Sequence, residues 1–306
     1  MATKKKFGMK DFWMILKKTF KVWNAKDPFR ESSVIAYYSI FSIPALLVIV
    51  IAVAGMFFGR ENVNDYLVRQ MSDAIGSGTA VQVKSMVIKA SDTGNSMIAS
   101  IIGFITLLLG ATGVFAQLQK SLNIIWEVKA DPKKENIWAT IRTRLFSFGL
   151  IVSIGFLLLI SLVITSVLAL AASHIRQIWP EGISFMFYVI NFLASFGAIA
   201  VLFAMLFKVL PDVHIHWRYV RLGAIVTAFL FVLGKFALGI YFGSADPGSV
   251  YGAAGSVILI LIWVSYSSMI LFFGAEFTKI YSDFFELSPR PKSIAVKTPR
   301  RGKDLS

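Results

Sequence analysis

The sequence predicts an all-α polytopic membrane protein with six transmembrane helices, an N-terminal interfacial helix and an external helical cap. Three observations predict it. Of 306 residues 56% are hydrophobic and only 16% charged, against about a quarter charged in an ordinary soluble domain, so too little polar surface remains to keep the chain dispersed in water. Six continuous apolar runs reach the roughly 20 helical residues needed to cross a hydrocarbon core. Finally, 25 of the 31 Lys and Arg residues fall in the connections on one side of these runs and only five on the other.

The runs cover approximately 34–58, 97–116, 147–172, 184–207, 222–242 and 250–275. None alternates polar with apolar residues as barrel strands do, so helices satisfy the backbone in lipid. The basic side is expected to be cytoplasmic, with both ends of the chain inside and the protein in a bacterial inner membrane. This asymmetry accounts for most of the formal charge of +14 without calling on nucleic acid as a partner. No cleavable signal peptide is expected, because the first apolar run is far longer than a signal core. The chain divides into residues 1–33, a cytoplasmic segment with an amphipathic helix, residues 34–281, the six-helix domain, and residues 282–306, a basic and disordered tail.

Before the first run, Phe12, Trp13, Leu16, Phe20 and Trp23 recur at three- and four-residue spacings while Lys10, Lys17, Lys18 and Lys21 take other faces. Such a helix lies along a membrane surface or packs beneath the bundle, and Asp27-Pro28 ends it. The connection after the first run places Val63, Leu67, Met71 and Ala74 on one helical face, and Val83, Met86, Val87 and Ala90 on a second. Gly76-Ser77-Gly78 separates them, and the pair reads as a cap over the outer mouth. Gly239 with Gly243, and Gly248 with Gly252, predict close approach of the last two spans in a hairpin.

Few residues carry chemical signals. Lys235 is the only charged residue well inside a run, and an intramembrane lysine costs about 2.5–3.5 kcal/mol near the centre. It shares a face with Ala224, Ala228, Phe231, Gly239 and Phe242, so it is expected to point into the bundle and meet an anionic ligand; the alternative is a lysine that snorkels outward or binds Tyr and Ser hydroxyls structurally. Pro44 is expected to kink the first span, with Ser39 and Ser42 nearby as hydroxyl partners. Asn191 is a hydrogen-bonding residue in the fourth span. Gln117, Gln119 and Asn123 continue the second span toward an inner vestibule. The candidate binding residues are therefore Lys235, Asn191, Tyr37, Ser42 and Tyr251, with Pro44 as a hinge. Glu31, Asp246 and Glu276 stand only at span ends.

His214 and His216 make a weak pair, His174 lies on the opposite side, and no metal site is expected. The absence of cysteine excludes disulfides and thiolate chemistry. No phosphate-binding loop, zinc-protease helix or nucleophile elbow is present. No catalytic residue, no cofactor and no enzymatic activity are expected.

Four stretches together resemble the YihY/BrkB family of bacterial inner-membrane proteins: AYYSIFSIPALL at 36–47, GATGVFAQLQKSLNIIWEV at 110–128, FKVLPDVHIHWRYVRLGAIVTAFLFVLGKFALGIYF at 207–242, and YGAAGSVILILIWVSYSSMILFFGAEF at 251–277. The resemblance implies a six-helix bundle with cytoplasmic ends, and Tyr37, Pro44, Asn123, Trp126, Pro211, Lys235, Tyr251, Gly252, Trp263, Gly274 and Glu276 fall within the recurring motifs. It also implies links to serum resistance and envelope lipid movement, beside a legacy ribonuclease label. The expected activity is transport or export of an anionic or amphiphilic, lipid-like envelope component. A non-transporting scaffold for envelope assembly is the second reading and a membrane-bound ribonuclease the third. The expected partners are membrane lipids and an anionic amphiphile, with no nucleic acid; a homo-oligomer is compatible with the sequence.

Overall fold

A computed structural model describes residues 8–75, 80–81, 83–85, 87–88, 113–131, 183–245, 255–285 and 289–298. Seven helices and four short strands are followed here: α1 Met9–Ala25, α2 Pro28–Phe58, α3 Arg60–Ile75, α4 over 113–125, β1 Val128–Ala130, α5 Ile183–Val209, β2 Val213–His214, α6 Trp217–Ala245, α7 Gly255–Phe284, β3 Arg290–Pro291 and β4 Ala295–Lys297. The protein is mostly helical. Among the described residues, Phe192–Val209, Trp217–Phe242 and Val257–Phe284 are long and apolar enough to cross a membrane. The runs expected at 147–172 and over 97–112 lie outside the described residues, as do Gly76-Ser77-Gly78.

The break at Asp27-Pro28 is a built corner. Asp27 takes a left-handed conformation at φ 50°, its carboxylate accepts the Arg30 backbone N–H, and Pro28 begins α2. Proline is tolerated there because the first-turn N–H has no helical partner in any case. The α2 helix then runs without interruption through Pro44 to Phe58.

The core forms where α7 meets α2, α6 and α1, and α5 packs on α6. Along α6 and α7 the close approach is reciprocal. Thr227 donates its hydroxyl to Gly223 O at 2.6 Å and Thr278 donates to Gly274 O at 2.7 Å. Each threonine also fills the space a side chain would need on the facing glycine: a Cβ on Gly223 would lie 1.8 Å from Thr278 Oγ1, and one on Gly274 1.8 Å from Thr227 Oγ1. Further along, the Tyr266 hydroxyl lies over Gly234. The expected pairing of the last two spans is thus present, but its small-residue contacts are Gly223, Gly234 and Gly274. Gly239 faces open space, because the helices are notched together toward the other end of α6. Gly243 lies near the end of α6, and Gly248 and Gly252 lie outside the described residues.

Of the two alternatives read from its pattern, helix α1 shows packing beneath the bundle. Ile15 and Thr19 are buried, Phe12 packs edge-on to Phe277, and Trp23 donates its indole N–H to Met269 O at 3.2 Å. Trp13 and Phe20 are exposed, on the same outward surface as Lys10, Lys17, Lys18 and Lys21. One face therefore belongs to the bundle, and the other presents rings among cations. In the cap region Val63, Leu67, Val83 and Val87 are buried, as their helical spacing predicts, and Met71 packs against the core. The side chains of Ala74, Met86 and Ala90 lie outside the described residues.

One expectation is corrected: residues 289–298, part of the tail expected to be disordered, are ordered. β4 pairs antiparallel with β1, aligning Lys129 with Val296, and β3 pairs with β2, aligning His214 with Arg290. Prolines and basic residues suggest disorder when a segment is taken alone, but here its backbone finds partners in two loops distant in sequence. Residues 299–306 lie outside the described residues.

Candidate functional site

The α1–α2 corner brings Lys26 and Glu31 to one end of the bundle, where α4 supplies Ser121 and α7 supplies Glu276. These four polar side chains, with Trp23, Pro28, Ile124, Ile125 and Phe272, line a cavity of about 50 Å³. Glu276 is 1% exposed, and a lone carboxylate at such a position is strongly unfavourable. Lys26 Nζ offsets this with a 2.6 Å bond to Glu276 Oε2, the short distance of a charge-assisted contact. Glu31 Oε2 accepts a 3.1 Å bond from Ser121 Oγ. Arg30, at 3.6 Å from Glu31 and largely exposed, adds little in water. The cavity thus exposes one ammonium, two carboxylates and a hydroxyl beside an aromatic wall, a set able to hold a headgroup bearing both signs of charge.

A second polar cluster fixes the other side of α4. Asp212 is buried, and its carboxylate accepts bonds from Asn123 Nδ2 at 2.7 Å and Gln119 Nε2 at 3.1 Å. In return the Asp212 backbone N–H donates to Asn123 Oδ1 at 2.8 Å. Lys292, on the 289–298 segment, donates its backbone N–H to Asp212 O at 2.9 Å and its ammonium to Val209 O at 3.1 Å. Burial holds the Lys292 amine below the usual lysine range, partly countered by Asp212 and reinforced by Lys208. Lys208 itself donates to Ile215 O and lies over the Trp217 ring. At the exit of α4, Glu127 adopts φ 54° and its Oε1 accepts a 2.8 Å bond from Lys279 on α7.

The residues singled out from the sequence do not converge on one place. Lys235 is half-buried on α6, one turn beyond Phe231, whose ring meets Phe203 and Trp263. It stands where the packed stripe of Ala224 and Ala228 gives way to the open surface at Gly239. Gly223 meets Thr278 and Thr227 meets Gly274, which sets Glu276 level with residue 225, so Lys235 lies about 15 Å further along the α6 axis at 1.5 Å per residue. Ser42 is buried against Gly113, whereas Tyr37 is exposed and stacks edge-on with Tyr38 and Phe41. Asn191 lies on α5; the Phe203–Phe231 contact sets Lys235 roughly level with residue 199, about 12 Å along the axis from Asn191. The side chains of Asn191 and Pro44, and the whole of Tyr251, lie outside the described residues. Gln119 and Asn123, expected in a vestibule, serve instead as ligands of Asp212.

Sequence reading passed over Glu31, Glu276 and Lys26 because they stand at helix ends, where water makes charge inexpensive. Asp212 was passed over for the same reason. The available signal was the acidic residue following a helix-packing glycine, Gly274-Ala275-Glu276, in a run otherwise free of charge. Among the described residues no group of three His, Cys, Asp or Glu side chains could hold a metal ion.

Comparison with known proteins finds relatives named as membrane proteins. The chain is 29% identical over 198 residues to a UPF0761 membrane protein of Alteromonas mediterranea, covering 63% of each chain. It is 29% identical over 178 residues to one of Delftia acidovorans, covering 58% of this chain and 40% of that one. A third relative, from Mannheimia succiniciproducens, is 23% identical over 260 residues and covers 83% of this chain and 84% of its own. The matches thus span about two-fifths to three-fifths of the first two relatives' lengths. No solved structure matches the chain. The profile of the family described as Virulence factor BrkB matches residues 19–294, from the middle of α1 to the tail segment, and the chain belongs to that family of membrane proteins.

Proposed function

We propose that the protein moves a charge-bearing amphiphile of the envelope across an inner membrane, and that the Lys26–Glu31–Ser121–Glu276 cavity receives its headgroup. In this reading six helices cross the bilayer and the basic end, which holds the cavity, faces the cytoplasm. The observation that carries the reading is the part-buried Lys26–Glu276 pair, its carboxylate fully buried, opening on a second carboxylate, Glu31, at an end of the apolar helices. Maintaining such a pair away from water gives little net stability compared with apolar packing. A headgroup with phosphate and amine can exchange with it, the phosphate taking Lys26 and the amine taking the carboxylates. Lys235, about 15 Å deeper along α6, is the contact for an anionic group later in the path. The reading assigns no chemical reaction to the protein.

The test is a reconstituted assay. Proteoliposomes carrying a fluorescent zwitterionic phospholipid analogue should show protein-dependent movement between leaflets, read by reduction of the exposed dye. Lys26→Met and Glu276→Gln should bring the rate to that of protein-free vesicles. Protein-dependent movement undiminished in both variants would remove the cavity from the pathway, and no movement with wild-type protein would remove this substrate class.

A further inference from the structure

The segment 289–298 makes more contacts than a tail needs. Besides its two strand pairings, Asp131 N donates to Ile294 O at 3.0 Å, Thr298 N donates to Glu127 O at 2.8 Å, and Lys292 N donates to Asp212 O. Ala295 is buried and Lys292 half-buried. One short stretch therefore binds both the loop leaving α4 and the loop joining α5 to α6.

Helix α4 stands between this segment and the polar cavity. Ser121, Ile124 and Ile125 form its cavity wall, while Gln119 and Asn123 on the same helix grip Asp212. Glu127, immediately after α4, is tied to Lys279, one turn from Glu276 on α7. The position of the cavity wall is consequently set by contacts that the 289–298 segment completes. Within these ties the segment is also the weakest part, since its strands are two or three residues long and such ladders are marginal in isolation.

We propose that residues 289–298 are a clasp: docked, they brace α4 against the cavity, and undocked, they loosen the end of α4 enough to open the cavity to the aqueous side. The clasp rests on the transport reading for its purpose, but its operation is measurable without transport. Opening and closing of a short surface segment is drawn from the low-stability end of a fold, as moving elements must be.

The natural absence of cysteine makes a direct test available. Ser121→Cys places one thiol on the cavity wall, at a residue 3% exposed, and its reaction with a membrane-impermeant maleimide is timed in full-length protein in nanodiscs. Two variants release the clasp in this background: Lys292→Glu, which sets a carboxylate beside Asp212, and truncation after Phe285. Both should react at least about tenfold faster, the change expected from losing roughly two net hydrogen bonds. Lys18→Cys alone, on the exposed face of α1 and away from the clasp, should react equally with and without Lys292→Glu. Equal Ser121→Cys rates in the parent and in a monodisperse Lys292→Glu protein would overturn the clasp, whether or not the truncated chain folds. A rate difference in a protein that moves no lipid would overturn the transport reading and leave the clasp standing.

Discussion

Removing Lys26 separates the contribution of the buried ion pair from that of simple packing. Lys26→Met leaves Glu276 with its side chain 2% exposed and without its cation. Breaking a buried pair in this way costs about 3–5 kcal/mol. Because the Lys26 side chain is 32% exposed, part of that attraction is already screened, and about 2–3 kcal/mol is the expected loss. Glu276→Gln should cost less, about 1 kcal/mol, since the freed ammonium can reach water and a hydrogen bond to the amide oxygen replaces the ionic one. Combining Lys26→Met with Glu276→Gln should cost no more than about 1.5 kcal/mol, because no unpaired charge is left buried, giving a coupling of at least about 1.5 kcal/mol. The assay is unfolding in mixed detergent–SDS micelles followed by tryptophan fluorescence. A Lys26→Met loss below about 0.5 kcal/mol, or a double variant as unstable as the sum of the singles, would refute the argument that Glu276 depends on Lys26.

Other consequences follow from the same geometry. Gly274→Ala forces a methyl onto Thr227 and should destabilise the protein by about 1–3 kcal/mol in the same micelle titration. Adding Thr227→Ala should restore part of this, because the 1.8 Å overlap with Oγ1 disappears while the 2.9 Å approach to Cβ stays. If the outward face of α1 lies in the headgroup region, lipids brominated near the headgroup should quench Trp13 but spare Trp23. In a background whose other five tryptophans are phenylalanine, Trp13→Phe should then abolish most of the quenching that Trp23→Phe leaves. Burial lowers the Lys292 pKa in the folded protein relative to 10.5, so the folded state binds fewer protons than the released one below that value. Docking of 289–298 should therefore tighten as pH rises through the folded pKa toward 10.5 and weaken as pH falls. Spin-label distances between positions 129 and 296 should show this dependence, and Lys292→Met should remove it.

The sequence alone determined the solvent of this protein and the faces of its helices. Continuous apolar runs have no stable home but lipid, and helical periodicity marked Val63, Leu67, Val83 and Val87 as inward and Asp27-Pro28 as a corner. Those are properties of neighbouring residues, and neighbouring residues suffice to express them. Only the tertiary structure decided which glycines meet: Gly239 has the expected spacing but faces open space, whereas Gly223 and Gly274 receive threonines from the opposite helix. Only it joined Lys26 to Glu276 across 250 positions of sequence, Asn123 to Asp212, and the 289–298 segment to two loops. A charge at a helix end looks equally comfortable in water or in an ion pair, and a short extended segment is ordered only if an edge awaits it. Which applies depends on what the rest of the chain brings to the same place, and no local pattern carries that information.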